Sequence, residues 1–266
     1  MNSELLPKVG KYKFSAFPFH CDFLHELFLG HLGNALLNAA DFHSNDRGYG
    51  MTYLNPNHKT WVLSRLAIEL TGVPKAYEEY YVETWVESAM KFFTSRNYTM
   101  KGPDGHVYGY GRSIWALIDT DTRQPADILS IRDGRITEYI ENDKECPIKP
   151  ASRVPIGEEA EYVRTIDTYY NDVDMNGHIN SVKYIEHLLD LFSLDYYRHH
   201  HLRRLDIAYV AETYQGDQLH FYREEINENE YNIRIMKSSP EKENKVEVVR
   251  CCVDRKSTRL NSSHRC

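Results

Sequence analysis

The hydrophobic and polar positions of the chain predict the same order of elements twice. Alternating apolar and polar residues predict four strand regions in the first half, at residues 12–19, 61–70, 80–98 and 110–120. The third region is long enough for one bent strand or for two. An apolar face at Leu29, Leu32, Leu36 and Ala40 predicts a helix over residues 26–42.

The second half repeats this order. Residues 161–168 predict a strand, and Asn180 is a candidate N-cap for the following helix. The apolar stripe of that helix consists of Val182, Ile185, Leu188, Leu189 and Phe192. Four further strands are predicted, at residues 204–213, 218–225, 231–238 and 246–253. Two strand–helix–strand units predict an α+β fold in which each helix packs on one antiparallel sheet.

A segment with three prolines separates the two halves. Proline fixes its own backbone and lacks an N–H donor, so such a segment suits a linker better than an element interior. The predicted organisation is therefore a first domain over 1–141, a linker over 142–157 and a second domain over 158–254.

Residues 255–266 are polar, have no apolar period and resemble a translated adaptor. They predict a non-native, disordered and dispensable tail, with a natural polar tail as the alternative.

Composition narrows the class of protein. The 266 residues are 41% hydrophobic and 27% charged, with a formal net charge of −7. This acidity argues against nonspecific nucleic-acid binding. The mean hydropathy of −0.60 and the lack of a long apolar run predict no membrane span. The start of the chain lacks the apolar core of a signal peptide, and the five cysteines form no Cys-x-x-Cys pair; both predict a cytoplasmic protein.

The densest group of chemically useful side chains is Asp174-x-Asn176-x-His178, directly before the second helix. A carboxylate can deprotonate a water, a carboxamide and an imidazole can orient a carbonyl, and N–H groups at a helix start can stabilise an oxyanion. We place those N–H groups at residues 179–181. Taken singly, Asp174 and Asn176 are also ordinary turn residues, and His178 an ordinary polar side chain.

Other motifs point away from competing chemistry. The chain has no Gly-x-Ser-x-Gly nucleophile elbow and no Walker-type phosphate loop. Three consecutive histidines, His199 to His201, do not share one face of a helix or a strand, so we interpret them as an exposed basic loop and not as a metal site. The sequence thus predicts neither a metal nor a cofactor.

The segment from Asp174 onward resembles the active-site motif of acyl-acyl carrier protein (acyl-ACP) thioesterases, close to Asp-Val-Asn-x-His-Val-Asn-Asn-x-Lys-Tyr. The matching residues are Asp174, Asn176, His178, Asn180, Lys183 and Tyr184. Ser181 departs from the second Asn of the motif. The runs 81–86 and 111–119 are similar to first-half motifs of the same family.

This resemblance implies a tandem hotdog fold, in which each half is a curved antiparallel sheet around a long helix. It implies hydrolysis of fatty acyl-ACP thioesters to free fatty acid in fatty acid biosynthesis, with water as the nucleophile and with neither metal nor cofactor. It adds Glu212 as a fourth site residue, and Thr213 stands where many members have Cys. It also favours an acyl-chain pocket in the first half, and acyl carrier protein as the partner.

Several alternatives stay open at this point. Single-hotdog acyl-CoA thioesterases share the Asp-x-x-Gly-His pattern of Asp174, Gly177 and His178. A dehydratase of this fold would lack the Asp-x-Asn-x-His loop. A noncatalytic acyl-binding protein would function without these side chains. The sequence does not decide whether Asp174 or Glu212 is the general base. The acyl chain length and the oligomeric state, including a homodimer, are also undecided. For carrier docking, the densest basic segment is 198–204.

Overall fold

The computed structural model describes residues 5–157, 160–240 and 242–257, and the chain divides into two compact units. The first unit comprises Met1–Ser152 with Ile207–Tyr209, and the second comprises Arg153–Asp206 with Val210–Cys266. The chain passes from one unit to the other after Ser152, within the segment 142–157 that the sequence predicts as a linker.

The first unit is an antiparallel sheet with one long helix. Its strands are β1 (Gly10–Ser15), β2 (Lys59–Leu70), β3 (Glu79–Ala89), β4 (Phe93–Lys101) and β5 (Val107–Asp119). They lie in the order β1-β3-β4-β5-β2 with antiparallel neighbours. The helices are α1 (Leu29–Asp46) and the short α2 (Met51–Leu54), with 3₁₀ turns at Pro18–His20, Asn55–Asn57 and Ile128–Tyr139.

Helix α1 buries the face that its apolar spacing predicts. Leu32, Leu36 and Ala39 have no solvent exposure, and small residues between them allow close packing. The charged side chain of Arg96 on β4 is buried against α1. Its guanidinium donates to the hydroxyl of Ser44 on that helix. A second group of buried side chains packs the 3₁₀ segment 128–139 against Val86 and Leu117.

The chain after β5 is bound to the first sheet over residues 141–148. The indole of Trp85 donates to the carbonyl of Lys144 (3.1 Å), and Arg112 donates to the carbonyl of Ile148 (3.0 Å). Burial raises the pKa of Glu83, but its hydrogen bonds to Lys144 and Lys101 outweigh burial and leave that pKa below its usual value. The first part of the predicted linker is therefore an ordered strap.

The second unit repeats the arrangement with a shorter helix. Its strands are β6 (Glu161–Asp167), β7 (His200–Tyr209), β8 (Gln218–Asn227), β9 (Glu230–Ser239) and β10 (Lys242–Ser257), in the order β7-β10-β9-β8-β6. The last three residues of β7 are those counted with the first unit. A 3₁₀ turn at Tyr170–Asp172 precedes α3 (Ser181–Leu189), and α4 (Leu194–His199) follows it. The side chain of Asn180 caps α3 by accepting from the N–H of Val182, as predicted.

The predicted α+β class is confirmed, and most strands lie where alternation places them. The region 80–98 forms two strands, and β1 ends at Ser15 because a proline turn follows. Strand β7 ends at Tyr209, so Glu212 lies in the following loop and not on a strand. No helix among residues 5–157, 160–240 and 242–257 is long and apolar enough to cross a membrane.

The prediction of an exposed loop at His199 to His201 is wrong. His199 ends α4 and His200 begins β7. The His200 ring stacks on Tyr196 with centroids 3.9 Å apart, and its Nδ1 lies 3.0 Å from the Tyr196 carbonyl oxygen. His200 packs where the short helix meets the strand, whereas His201 is exposed, and a run of identical polar letters does not reveal this difference.

The predicted tail begins too early. Strand β10 continues to Ser257, and Arg255 is only 2% exposed. Its guanidinium lies 4.1 Å from the ring centroid of Phe192 and 4.6 Å from that of Tyr197, whose hydroxyl accepts from it at 3.0 Å. Residues 255–257 thus belong to the fold, and the rest of the predicted tail, 258–266, lies outside the described residues.

We predict that a chain ending at Asp254 unfolds at lower temperature than a chain ending at Ser257. Removal of Arg255 takes a desolvated cation from the rings of Phe192, Tyr196 and Tyr197, which lowers stability by about 2 kcal/mol. Arg255→Ala should reproduce most of this loss in urea unfolding. Equal stability of the two truncated chains would show that Arg255 contributes nothing and that the tail begins where the sequence placed it.

Candidate active site

A tight turn carries three of the four predicted site residues. Val173 and Ile179 form an antiparallel bridge at its base. The carboxylate Oδ1 of Asp174 accepts from the backbone N–H of Asn176 (2.8 Å) and of His178 (3.4 Å). Gly177 has a φ of +82°, a conformation that favours glycine. The Asp174 carboxylate is therefore used inside its own turn.

The start of α3 is bound to neighbouring loops. The N–H of Ile179 donates to the carbonyl of Thr213 (2.9 Å), and the N–H of Asn180 donates to the carbonyl of Asp172 (2.8 Å). Both N–H groups were predicted as oxyanion donors, and that prediction is wrong for them because their hydrogens are already engaged. The buried carboxylate of Asp172 lies 3.1 Å from Nε2 of His187 and anchors the turn to α3.

His178 and Glu212 come together in space. Nε2 of His178 lies 3.5 Å from Oε2 of Glu212, and both side chains are partly exposed. The hydroxyl of Tyr214 donates to the same Oε2 at 3.2 Å. The Tyr214 ring also meets the His178 ring edge to face, with centroids 5.1 Å apart. An imidazole, a carboxylate and a phenol thus share one exposed corner of the second unit.

Asn176 lies apart from this cluster of side chains. It is exposed at the tip of the turn, and in the part of the chain that the structure describes its carboxamide makes no hydrogen bond. Its amide hydrogens and oxygen are available to a ligand. The structure therefore pairs His178 with Glu212, binds the Asp174 carboxylate to the backbone of its own turn, and leaves the side chain of Asn176 exposed.

Thr213 is buried beside the site. Its side chain is 1% exposed, and it neighbours the phenol of Tyr184 on α3. Burial raises the pKa of Tyr184, and the nearby carboxylates of Asp217 and Glu212 add to this effect. A hydroxyl enclosed in this way is poorly placed to attack a substrate, whatever residue stands at position 213 in relatives.

The first unit contains the same turn. Oδ1 of Asp22 accepts from the N–H of Leu24 (2.8 Å) and of Glu26 (3.0 Å), and Cys21 bridges Leu27 at the base. His25 has a φ of +61° at the place of Gly177. The two turns match hydrogen bond for hydrogen bond, so the Asp is a feature of the turn and does not by itself mark an active site.

The side chains around the two turns differ. Leu24 stands at the place of Asn176, and Glu26 at the place of His178. The N–H of Leu27 donates to the carbonyl of Pro74, as Ile179 donates to Thr213, so Val73 occupies the place of Glu212. The first unit therefore keeps the backbone of the site and lacks the amide, the imidazole and its carboxylate.

Sequence reasoning missed two residues of this site. Tyr214 carries no motif, although it stands only two residues after Glu212. Lys237 on β9 is 25 residues from Glu212, and its Nζ donates to the Glu212 carbonyl at 2.6 Å. No local pattern signals a contact that only the folding of β8 and β9 creates. Among the described residues, no group of three or more His, Cys, Asp or Glu side chains is arranged to hold a metal ion.

Comparison with known proteins identifies the family of this chain. Residues 8–132 match the model of the acyl-ACP thioesterase N-terminal domain, and residues 157–250 match that of the C-terminal domain. An acyl-ACP thioesterase structure from Bacteroides thetaiotaomicron is 45% identical, with a TM-score of 0.85 over 94% of this chain and 98% of that one. The chain belongs to the acyl-ACP thioesterase family.

More distant relatives define the fold. A 12:0-ACP thioesterase structure from Umbellularia californica is 18% identical, with a TM-score of 0.81 over 96% of this chain and all of that one. The tandem hotdog architecture is confirmed. Oleoyl-ACP thioesterase 2 of Arabidopsis thaliana is 27% identical over 174 residues, or 60% of this chain. That alignment spans 46% of the plant protein, so the chain covers about half of the length of such relatives.

We predict that Asp22→Ala and Asp174→Ala each lower the free energy of unfolding by about 1–2 kcal/mol, because each removes the acceptor of two backbone N–H groups. Asp22→Asn and Asp174→Asn should lose much less, since the amide oxygen can still accept. Urea unfolding measures all four variants. If either Asn variant is as unstable as its Ala counterpart, acceptance by Oδ1 is not what holds that turn.

Proposed function

We propose that this protein hydrolyses fatty acyl-ACP thioesters to free fatty acid and carrier protein. The observation that carries the proposal is the His178–Glu212 pair beside the Asp174 turn of the second unit, in a segment that matches the C-terminal domain model of the family. In the reaction, water adds to the thioester carbonyl carbon and the C–S bond breaks. One water proton ends on the thiolate sulfur, so that an acid and a thiol are released.

Glu212 acts as the general base in this proposal. Its carboxylate takes a proton from the attacking water and hands it to the adjacent Nε2 of His178, which passes that proton to the leaving sulfur and returns to the neutral imidazole. Asp174 holds the turn, because its Oδ1 is occupied by two N–H groups and because Asp22 does the same where no imidazole is present. The choice between the two carboxylates thus favours Glu212.

Asn176 supplies the donor for the oxyanion. The N–H groups of Ile179 and Asn180 are engaged elsewhere, whereas the exposed carboxamide of Asn176 is free to meet a substrate carbonyl. A donor that gains strength as negative charge develops accelerates the chemical step. The acyl-chain pocket in the first unit and the absence of any metal or cofactor requirement are further parts of this proposal.

The names of the relatives support acyl carrier protein as the carrier. The Arabidopsis and Bacteroides proteins are named as acyl-ACP thioesterases, and both domain models are specific to that family. Release of free fatty acid from ACP belongs to fatty acid biosynthesis, which we propose as the setting, in the cytoplasm. Acyl-CoA is the competing substrate, since its acyl thioester is chemically the same group.

The basic segment 198–204 is a weaker docking surface than its sequence suggests. Arg198 lies 3.4 Å from a carboxylate oxygen of Asp195, and Arg203 pairs with Asp254. Arg204 binds the buried carboxylate of Asp206. Guanidinium groups that already face carboxylates attract an acidic carrier less than isolated ones.

We predict that Glu212→Gln lowers kcat for acyl-ACP about 10²–10⁴-fold, since it removes the base and keeps the side-chain size. Asp174→Asn should keep most activity. The assay follows free thiol release from acyl-ACP and acyl-CoA of several chain lengths. Glu228→Gln, in the β8–β9 turn, is the matched control and should behave as wild type. Full activity of a folded Glu212→Gln protein would remove Glu212 from the mechanism, and faster turnover of acyl-CoA than of acyl-ACP would reassign the carrier.

For docking, we predict that Arg198→Ala with Arg203→Ala raises KM for acyl-ACP less than about threefold, because both charges are paired within the chain. Arg204 is left in place, since it pairs with a buried carboxylate. A small acyl thioester serves as the control substrate. A large rise in KM for acyl-ACP alone would restore this segment as the docking surface; an unchanged KM directs attention to Arg47, Arg132 and Arg135, which line a cleft in the first unit.

A further inference from the structure

Two residues outside the family motif, Tyr214 and Lys237, contact the proposed catalytic pair of His178 and Glu212. Tyr214 donates its hydroxyl to Oε2 of Glu212 (3.2 Å) and places its ring against His178 (centroids 5.1 Å apart). Lys237 donates from Nζ to the backbone carbonyl of Glu212 (2.6 Å) and lies 5.4 Å from the Tyr214 ring centroid. One residue thus fixes the side chain of Glu212, and the other fixes its backbone.

A buried carboxylate joins this pair to the sheet. Oδ2 of Asp217 accepts from the N–H of Tyr214 (3.0 Å) and lies 3.5 Å from Nζ of Lys237. Its Oδ1 accepts from the hydroxyl of Ser239 on β9 (2.6 Å). Asp217 is 5% exposed, so these contacts are largely shielded from water and stronger than surface ones. The loop after β7 is therefore fastened to a paired strand.

We propose that Tyr214 and Lys237 are positioning residues that hold Glu212 and His178 in register for proton transfer. Glu212 lies beyond the end of β7, in a loop whose backbone is hydrogen-bonded at Val210 and at Thr213. Those bonds do not restrain the Glu212 side chain, which Tyr214 contacts. Loop side chains are mobile unless other groups restrain them, and a misplaced base loses much of its effect.

The first unit shows what the restraint is for. The equivalent loop of the first unit has a carboxylate at the place of Asp217. Oε2 of Glu78 accepts from the N–H of Lys75 (2.8 Å), as Asp217 accepts from the N–H of Tyr214. The unit has Val73 where Glu212 stands and Lys75 where Tyr214 stands. The aromatic phenol is therefore present where there is a base to hold, and absent from the equivalent place where there is none.

The inference rests on the proposed thioesterase activity, and the test has one arm that depends on turnover and one that does not. Tyr214→Phe keeps the ring and removes the hydroxyl, whereas Tyr214→Leu removes both. Lys237→Met removes the ammonium, and Lys237→Arg retains a donor. Tyr77→Phe, which alters an exposed phenol in the first unit, is the matched control.

In the turnover arm, Tyr214→Phe should lower kcat about tenfold, the effect of losing one hydrogen bond to a charged group, with KM changed less than twofold. Tyr214→Leu and Lys237→Met should lower kcat further, Lys237→Arg should recover part of the loss, and Tyr77→Phe should match wild type. Thermal melting identifies any variant that fails to fold. Unchanged kcat in Tyr214→Phe, or a loss that lies wholly in KM, would overturn the proposal.

In the second arm, NMR records the ring proton signal of His178, assigned with His178→Gln. The signal should shift in Tyr214→Leu, which loses the neighbouring ring current, and stay close to wild type in Tyr214→Phe. A signal that is unmoved in Tyr214→Leu contradicts the positioning role. If the wild-type protein hydrolyses no thioester, the proposed function fails, and this arm still decides whether Tyr214 holds His178.

Discussion

The arrangement of the site depends on a carboxylate that satisfies the backbone of its own turn. Oδ1 of Asp174 accepts two N–H groups that the reversal from Val173 to Ile179 would otherwise leave without partners. Acceptance of both donors by one oxygen favours this shape of the turn. That shape aims His178 at the loop after β7 and ends at the cap of α3. Without it, the family motif would be three polar residues on a flexible segment.

The two units show how one backbone can carry or lack a site. Asp22 builds the same turn in the first unit, with His25 in the left-handed conformation that Gly177 adopts in the second. A few side chains then decide the difference, chiefly His178 and Glu212 against Glu26 and Val73. The hydrogen bonds that the two turns share belong to the backbone scaffold, and the side chains on it distinguish the candidate site.

In the proposed mechanism, restraint of the loop after β7 links catalysis to stability. Glu212 follows a strand that has already ended, so its position depends on Tyr214, Lys237 and the buried carboxylate of Asp217. These contacts come from the β7–β8 loop and from β9, both of which are remote in sequence from the motif. In the proposed mechanism, substitutions far from the motif therefore reduce turnover when they remove the hydrogen bond to the Glu212 carbonyl or the one from the Tyr214 hydroxyl. The hydrophobic core does not depend on either bond.

The sequence by itself determined the α+β class, most strands, the cap of α3 and the residues of the motif, because alternation, capping and turn chemistry are local and repeat at fixed spacings. Tertiary structure decided what depends on distant partners. It moved Glu212 off its predicted strand and engaged the N–H groups of Ile179 and Asn180. It also placed Arg255 among aromatic rings and brought Lys237 to the site. The role of a polar side chain depends on the groups that it contacts, and the fold determines which distant residues come into contact.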